Sequence, residues 1–400
     1  MRNVGLALLL CCGPALAAPP SAWQILPETA ATPTLATLSP AAVSAWPVAV
    51  DGAGLAQAPA ELLLPLVSGA AAWERVHTEP RAQGLHWVGR LVGSPDHQAS
   101  LTLHAGQLRG LVSAPEGLYE ITSAADGRPW LVELDDARFP ACGGAVHVAA
   151  VPGFKASNGV PAPKSDTIGN IEILVVYTAQ VRTAVGGTAQ ALALAQAAID
   201  SSNTAFANSN MAVRFRLVGA RETSLAETGT AGEVLGRVRA DATVAAWRNE
   251  LGADMVGMIV ENLASACGIG YLMGSVSTAF APSAYQVTAR GCAVGNLSFA
   301  HEHGHNMGMT HNPENGSGAA YPYGYGHWVN GNFRTVMSYS NPCTSGCTRR
   351  PYFSNPSVSF NGAPTGIANQ RDNARAGNEA GPTVALFRTS LAQLFGNGFE

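Results

Sequence analysis

The chain has 400 residues, 23 Lys and Arg against 27 Asp and Glu, a net charge of −4, and only 12% charged against 47% hydrophobic side chains. That apolar content excludes an intrinsically disordered chain, and the lack of a basic surplus argues against nucleic acid as a partner. The length allows two or three domains with a sizeable core.

Residues 1–17 carry Arg2, an apolar run from Val4 to Cys12 and the small-residue pattern Ala15-Leu16-Ala17. This order is that of a secretory signal peptide, so a secreted protein is expected. The alternative is a lipoprotein acylated at Cys11 or Cys12, against which Leu10 stands where a small residue belongs. No later stretch reaches 18 uninterrupted apolar residues, so no membrane span is expected. Of seven cysteines, five lie beyond the leader: Cys142, Cys267, Cys292, Cys343 and Cys347. Five thiols cannot all pair within one chain.

Residues 18 to about 60, rich in Ala, Pro, Thr and Ser, read as a loosely ordered lead-in. From about 84, short alternating runs (LHWVGRLVG, ASLTLHAG, QLRGLVSA, GLYEITSA, RPWLVELDD) are separated by Gly, Pro, Asp and Ser. They predict antiparallel hairpins and a small all-β domain within residues 18–150. Residues 151–167, VPGFKASNGVPAPKSDT, predict a linker and processing region. A buried strand at 171–178, a helix at 188–208, a strand at 211–220, a helix over 231–251 and a strand at 253–262 follow. That alternation predicts an α/β (α+β) domain over 168–388 with a mixed, mainly parallel sheet. A final helical stretch at about 368–388 precedes a tail, 389–400, ending LFGNGFE and read as a frayed end.

Residues 301–311 read HEHGHNMGMTH. On a helix His301 and His305 fall on one face and can share a metal ion. Glu302, about 100° round the axis, lies beside the ion, where a carboxylate can take a proton from water. His311 would be ~15 Å along a continuous helix from His301. Gly308 can end the helix with a positive φ and turn His311 back as the third ligand. Three imidazoles with one open position indicate a catalytic zinc. The competing readings are a solvated helical face and a site with Glu314 as third ligand; the Gly308 to His311 spacing disfavours the second. His303 points off the ligand face and His327 lies in a Gly/Tyr loop, so both are expected to be non-ligands.

The motif HExxHxxGxxH, followed by TVMSY at 335–339, resembles the metzincin zinc endopeptidases, with Met337 at the position of their Met-turn. IEILVVYT, NTAFANSN, ADMVGMIV, CGIGYLM, YPYGYG, FRTVMSYS and FSNPSVSFNGAPTG complete a resemblance over about 168–388. It is to the reprolysin-like bacterial branch, most closely the peptidyl-Asp metallopeptidases. The resemblance implies a metzincin-like catalytic domain with a zinc helix, one zinc ion, protein or peptide substrates and a preference for cleavage next to Asp; with the linker at 151–167, residues 18–150 are read as a propeptide and the chain as a latent precursor. Calcium is left undecided, and a monomer is expected. Asn312 stands where that branch usually has Asp. A preference for Asp implies a cationic pocket, for which Arg334, Arg290, Arg349 and Arg350 are candidates. Tyr339 resembles the tyrosine that in other metzincins supports the oxyanion, with a packed aromatic as the alternative.

Cys267, Cys292, Cys343 and Cys347 allow three connectivities, of which Cys267 with Cys292 and Cys343 with Cys347 is favoured. Cys142, in FPACGGAV, is left alone upstream. A thiolate can be a fourth zinc ligand, so Cys142 is a candidate cysteine switch that keeps a precursor silent. The alternative is an idle thiol in a discarded segment. The rival to a secreted zinc endopeptidase is a non-catalytic, zinc-containing surface or adhesion protein on the same fold; the intact Glu302 argues against it.

Overall fold

The structure is a computed structural model and describes residues 19–27, 32–148 and 170–388. The leader, the linker at 151–167 and the tail lie outside the described residues.

The first domain is an antiparallel sheet of nine strands: β1 (Trp23–Ile25), β2 (Ala42–Val50), β3 (Glu61–Leu66), β4 (Gly69–Arg81), β5 (Gly84–Leu91), β6 (Ser94–His104), β7 (Gln107–Ser113), β8 (Leu118–Ser123) and β9 (Pro129–Leu134). Their order is β1-β2-β9-β8-β7-β6-β5-β4-β3. Strict alternation turns Leu62, Leu64 and Leu66 of β3 inward, against a core built on Trp23, Trp73 and Trp87. Just before β1, the Ala22 amide donates to the Leu63 carbonyl at 3.0 Å and the Leu63 amide to the Pro20 carbonyl at 2.9 Å. These bonds tie the first strand to the last, so the sheet closes into a near-barrel and leaves little edge to aggregate. The expected loose lead-in is corrected here, because β1 and β2 fall inside it. Ala- and Pro-rich composition carries little strand propensity of its own; β9 and β3 supply the pairing partners that composition cannot reveal.

The second domain holds a six-stranded sheet of β10 (Ala145–His147), β11 (Asn170–Thr178), β12 (Arg214–Thr223), β13 (Met255–Val260), β14 (Gly268–Leu272) and β15 (Tyr285–Ala289). The order is β10-β14-β15-β13-β11-β12. β11 runs parallel to β12 and β13, β13 parallel to β15, and β14 antiparallel to β15. It is a mixed, mainly parallel sheet in an α/β domain. The central strand β13 is buried along its whole length, as a strand covered on both faces must be. The helix expected over 231–251 is two, Ala231–Ala240 and Ala242–Glu250. Asp241 separates them and caps the second, accepting from the Val244 amide at 2.7 Å, the local competition that makes Asp a helix boundary. The last helix is Asn373–Val384.

The long helix Thr188–Asn208 lies between the two domains, packing on β6 and β7 as well as on β12. Its polar run from Asp200 to Thr204 is buried against the near-barrel. Asp200 accepts from Arg81 Nη1 and Nη2 at 2.8 and 2.7 Å, from the Thr102 hydroxyl at 2.7 Å and from Gln196 Nε2 at 3.0 Å. Ser100 links His86, 2.9 Å from its hydroxyl, to Thr204 at 3.0 Å. Burial pushes the His86 imidazole down, although Asp200 opposes it; Arg81, Glu79 and His77 also face it. Burial would raise the Asp200 carboxyl, but His86, Arg81 and Thr102 together hold it below the ordinary value.

Replacing Arg81 by Met strands Asp200 in the interface and is expected to cost about 3 kcal/mol, read as a lower Tm of the full chain; an unchanged Tm contradicts the assigned role. Both groups titrate lower folded than unfolded, so the unfolded chain takes up protons first as pH falls. Stability is expected to decline below about pH 6.5 as His86 titrates in the unfolded chain, and again below about pH 4 for Asp200. Denaturant midpoints across that range check the sign.

Candidate metal centre

The helix Ser298–Asn306 carries the first two histidines one turn apart, and Gly308 ends it with φ of 81°. A Cβ there would also stand 2.6 Å from Ala320 Cβ, so both the backbone and the space demand glycine. The reversal brings His311 back over the helix. Its Nε2 lies 3.1 Å from His305 Nε2 and 3.2 Å from His301 Nε2.

These short contacts are not hydrogen bonds. His301 Nδ1 is 2.8 Å from the Val336 carbonyl, His305 Nδ1 is 2.9 Å from the Met309 carbonyl, and His311 bonds the backbone of Asn315. A carbonyl accepts only a proton-bearing nitrogen, so each Nδ1 holds the proton and each Nε2 offers a lone pair. Burial keeps the rings neutral: it pushes His301 well down, His305 down to about 4 and His311 down to about 2. A tetrahedron with edges of ~3.2 Å has its centre about 2 Å from each vertex, which is the Zn–N bond length. The residues therefore fit a zinc ion. Cys142 Sγ completes the set, all four ligand atoms lying within 4.8 Å of one another.

Glu302 is fully buried, with Oε1 4.0 Å from His301 Nε2. The Cys142 thiol donates to that oxygen at 3.2 Å, while Oε2 has no partner. Burial raises the Glu302 carboxyl to about 8, and burial together with Glu302 raises the Cys142 thiol. The strand β14 approaches closely because it begins with glycine: a Cβ on Gly268 would lie 2.6 Å from Glu302 Oε1. Cys142 is brought here by β10, which pairs in parallel with β14, and by the Gly143 amide bonding the Gly268 carbonyl at 2.6 Å.

Beneath the site, Met337 is buried against the helix, and a Cβ on Gly304 would lie 2.4 Å from its sulfur. The Tyr339 ring centre is 4.2 Å from that of His311, and its hydroxyl is 3.5 Å from the Cys142 carbonyl. Asn312 holds this turn through its amide oxygen, which accepts from the Tyr339 amide at 2.9 Å, while its Nδ2 donates to Glu314 and Asn315 at 2.8 Å each. An amide supplies both an acceptor and donors, so the turn is held without a carboxylate at this position. His303 packs on Phe299 and Phe215, and His327 bonds Arg371 at 3.3 Å; neither joins the cluster. Glu314 is also spent elsewhere, on Arg371 at 2.6 Å. Disulfides join Cys267 to Cys292 and Cys343 to Cys347, and Cys142 is free.

The four arginines have different neighbours. Arg290 is paired with Glu261 at 2.5 Å and donates to the carbonyls of Leu38 and Thr37, at 3.1 and 2.8 Å. Arg350 reaches the Ser113 hydroxyl and lies 5.1 Å over the Phe360 ring. Arg334 and Arg349 are joined through the Ser338 carbonyl beside Met337, and Asp136 of the β domain accepts from the Arg334 guanidinium and from the Arg349 backbone amide. Sequence reasoning missed Asp136. Its only signal was an acidic pair six residues upstream of Cys142.

Residues 169–354 match the metallo-peptidase family M12 profile, Reprolysin_5. The peptidyl-Asp metalloendopeptidase of Xanthomonas campestris pv. campestris is 33% identical over 96% of this chain and 98% of its own length. Two enzymes of the same name from Stenotrophomonas maltophilia are 34% and 32% identical, covering 74% and 90% of this chain and 71% and 90% of theirs. With a zinc-fitting histidine trio on the matched segment and that likeness over nearly its whole length, the chain belongs to the peptidyl-Asp metalloendopeptidase family of M12 zinc metallopeptidases.

Proposed function

We propose that the described β domain is a prodomain and that this chain is the latent precursor of a secreted zinc endopeptidase, acting as a monomer and cleaving peptide bonds next to Asp. The observation that carries the reading is the convergence of three Nε2 lone pairs beside a buried carboxylate. His301, His305 and His311 hold one zinc ion. Zinc bound there supplies Lewis acidity, which makes an attacking water acidic near neutral pH and polarises the scissile carbonyl. Glu302 takes the proton of that water and returns it to the leaving amine. Its buried, unpartnered Oε2 is the atom with free capacity for this work. A binding protein on the same fold would bear the cost of that buried carboxyl for nothing. Tyr339, whose ring is tilted 35° to that of His311 at 4.2 Å, supports the developing oxyanion in this reading.

In the precursor, Cys142 offers its sulfur where water would stand and also occupies Glu302 Oε1. β10 covers β14, the edge along which an extended peptide backbone would pair. Maturation would cut within the segment between β10 and β11 and lift both covers. Two disulfides in the catalytic domain support an oxidising compartment and therefore export. No helix among the described residues is long and apolar enough to cross a membrane. The preference for Asp rests on the relatives' shared name.

Glu302→Ala is expected to keep stoichiometric zinc and lower peptide hydrolysis by about 10²–10⁴-fold or more, whereas His311→Ala loses the zinc itself. Metal analysis alongside a peptide assay separates them, and full hydrolysis by the Glu302 variant defeats the mechanism. Cys142→Ser is expected to make the uncut precursor active against small peptides. A fully latent variant removes the thiol from the account.

A further inference from the structure

Arg334 and Arg349 stand opposite each other where the short strands Phe333–Arg334 and Thr348–Arg349 pair in parallel. The Cys343–Cys347 disulfide closes the loop just before the second strand. Arg334 Nη1 and Arg349 Nη2 donate to the same carbonyl, that of Ser338, at 3.1 and 3.2 Å. Ser338 follows Met337 and precedes Tyr339, so the two guanidiniums hang from the turn that floors the metal centre. Arg349 is close enough for its charge to act on both His301 and Glu302.

No acid of the catalytic domain neutralises this pair among the described ion pairs; the carboxylate comes from the prodomain. Both oxygens of Asp136 lie 2.9 Å from Arg334 Nη2, and Oδ1 also accepts from the Arg349 amide at 3.2 Å. Asp136 opens the turn Asp136–Arg138, which Asp135 holds in shape by accepting from the Ala137 amide. The Nε atoms of both arginines are buried and unpartnered, so the site has donors left over. Burial and the neighbouring Arg334 push the Arg349 guanidinium down to about 9. Taking Asp136 away leaves two buried cations held only by the carbonyls of Ser338 and Asn296, the second at 2.8 Å from Arg349 Nη1, an arrangement that strongly favours a new anion. The other candidates lack this character. Arg290 already has Glu261, and Arg350 faces the prodomain hydroxyl of Ser113.

We propose that Arg334 and Arg349 form the pocket for the acidic side chain of the substrate, and that Asp136 fills it as a built-in substrate stand-in while Cys142 caps the metal position. This rests on the reading of the chain as a peptidase that prefers Asp and names the residues that read the preference. The carboxylate takes its hydrogen bonds in a buried place, the setting in which a neutral isostere is rejected by the unpaired groups it leaves. Asn at the same substrate position keeps the shape and loses the charge.

The test uses zinc-loaded enzyme matured from the full chain and two peptides that differ only in Asp or Asn beside the scissile bond. The ratio of kcat/KM for Asp over Asn is expected to fall by about tenfold or more in Arg334→Gln and in Arg349→Gln. In the uncut precursor, Asp136→Asn is expected to raise activity on the Asp peptide several-fold. An unchanged ratio in both arginine variants, with zinc content and Tm as in wild type, overturns the pocket. Should either variant fold poorly, inhibition of the wild-type mature enzyme by the peptide spanning residues 134–144 decides instead, with Cys142→Ser in every version. Inhibition is expected to weaken about tenfold when Asp136 is replaced by Asn, and equal inhibition overturns the proposal. A wild-type enzyme that cuts neither peptide defeats the peptidase reading itself, whereas one that keeps its Asp preference in both variants defeats only the pocket.

Discussion

Three imidazole lone pairs facing one another at 3.1 to 3.2 Å repel unless a cation lies between them. Holding them there requires the protons to be fixed on the far side of each ring, and the backbone does this through Val336, Met309 and Asn315. Two of those carbonyls belong to the turns on either side of the third ligand, and the other to the segment leading into Met337. The fold around the site is organised to bring them in. Gly308 turns the chain back, Gly304 lets Met337 rise against the helix, and Gly268 lets β14 press on Glu302. A side chain larger than hydrogen at any of these glycines would move a ligand, its support or the catalytic carboxylate.

On the proposed reading of the chain as a precursor, this geometry is kept silent before maturation, and the β domain meets the second domain through contacts of different physical kinds. Far from the metal, Arg81 and Thr102 hold Asp200 on the long helix through charge and hydrogen bonds. At the cleft, β10 supplies backbone pairing, Cys142 supplies sulfur and Asp136 supplies a carboxylate. None needs to be strong alone. Each engages with the others already in place, so the local concentration of each inhibitory group is that of a tethered ligand. The proposed cut between β10 and β11 would break the tether and convert a unimolecular clamp into a set of weak bimolecular contacts.

How much of this was legible in the sequence depends on distance along the chain. His301, Glu302, His305 and His311 fall within eleven residues, where helical spacing and one glycine determine their placement, so both the metal site and the helix bearing it were readable. The catalytic strands were readable because burial on both faces leaves unbroken apolar runs such as IEILVVYT. β1 and β2 were not, because their short Val- and Trp-bearing runs are interrupted by Ala, Pro and Ser and pair with β9 and, across the closure, with β3, both distant in sequence. The role of the polar run in the long helix was not legible, because Asp200 finds its partner 119 residues upstream. Asp136 is a further case: 198 residues separate it from Arg334, and nothing local marks it.

An inhibitor that imitates the substrate risks being cut, and the spacing between its two functional groups answers that risk. In the proposed pocket a substrate acid would lie against Arg334, with the adjoining peptide bond directed toward the histidine cluster. The β domain places Asp136 on Arg334 and on the Arg349 amide, and then uses Ala137 to Ala141 before reaching Cys142. Fully extended, six residues would span ~20 Å, but the turn at Asp136–Arg138 shortens the segment, and both Asp136 and Cys142 lie near enough to Arg349 to act on its charge. On the proposed mechanism the sulfur therefore stands where the attacking water would, and Glu302 is hydrogen-bonded to a thiol instead. On this proposal recognition is satisfied while the reacting atoms are withheld, so binding energy that a substrate would spend on catalysis would go into latency.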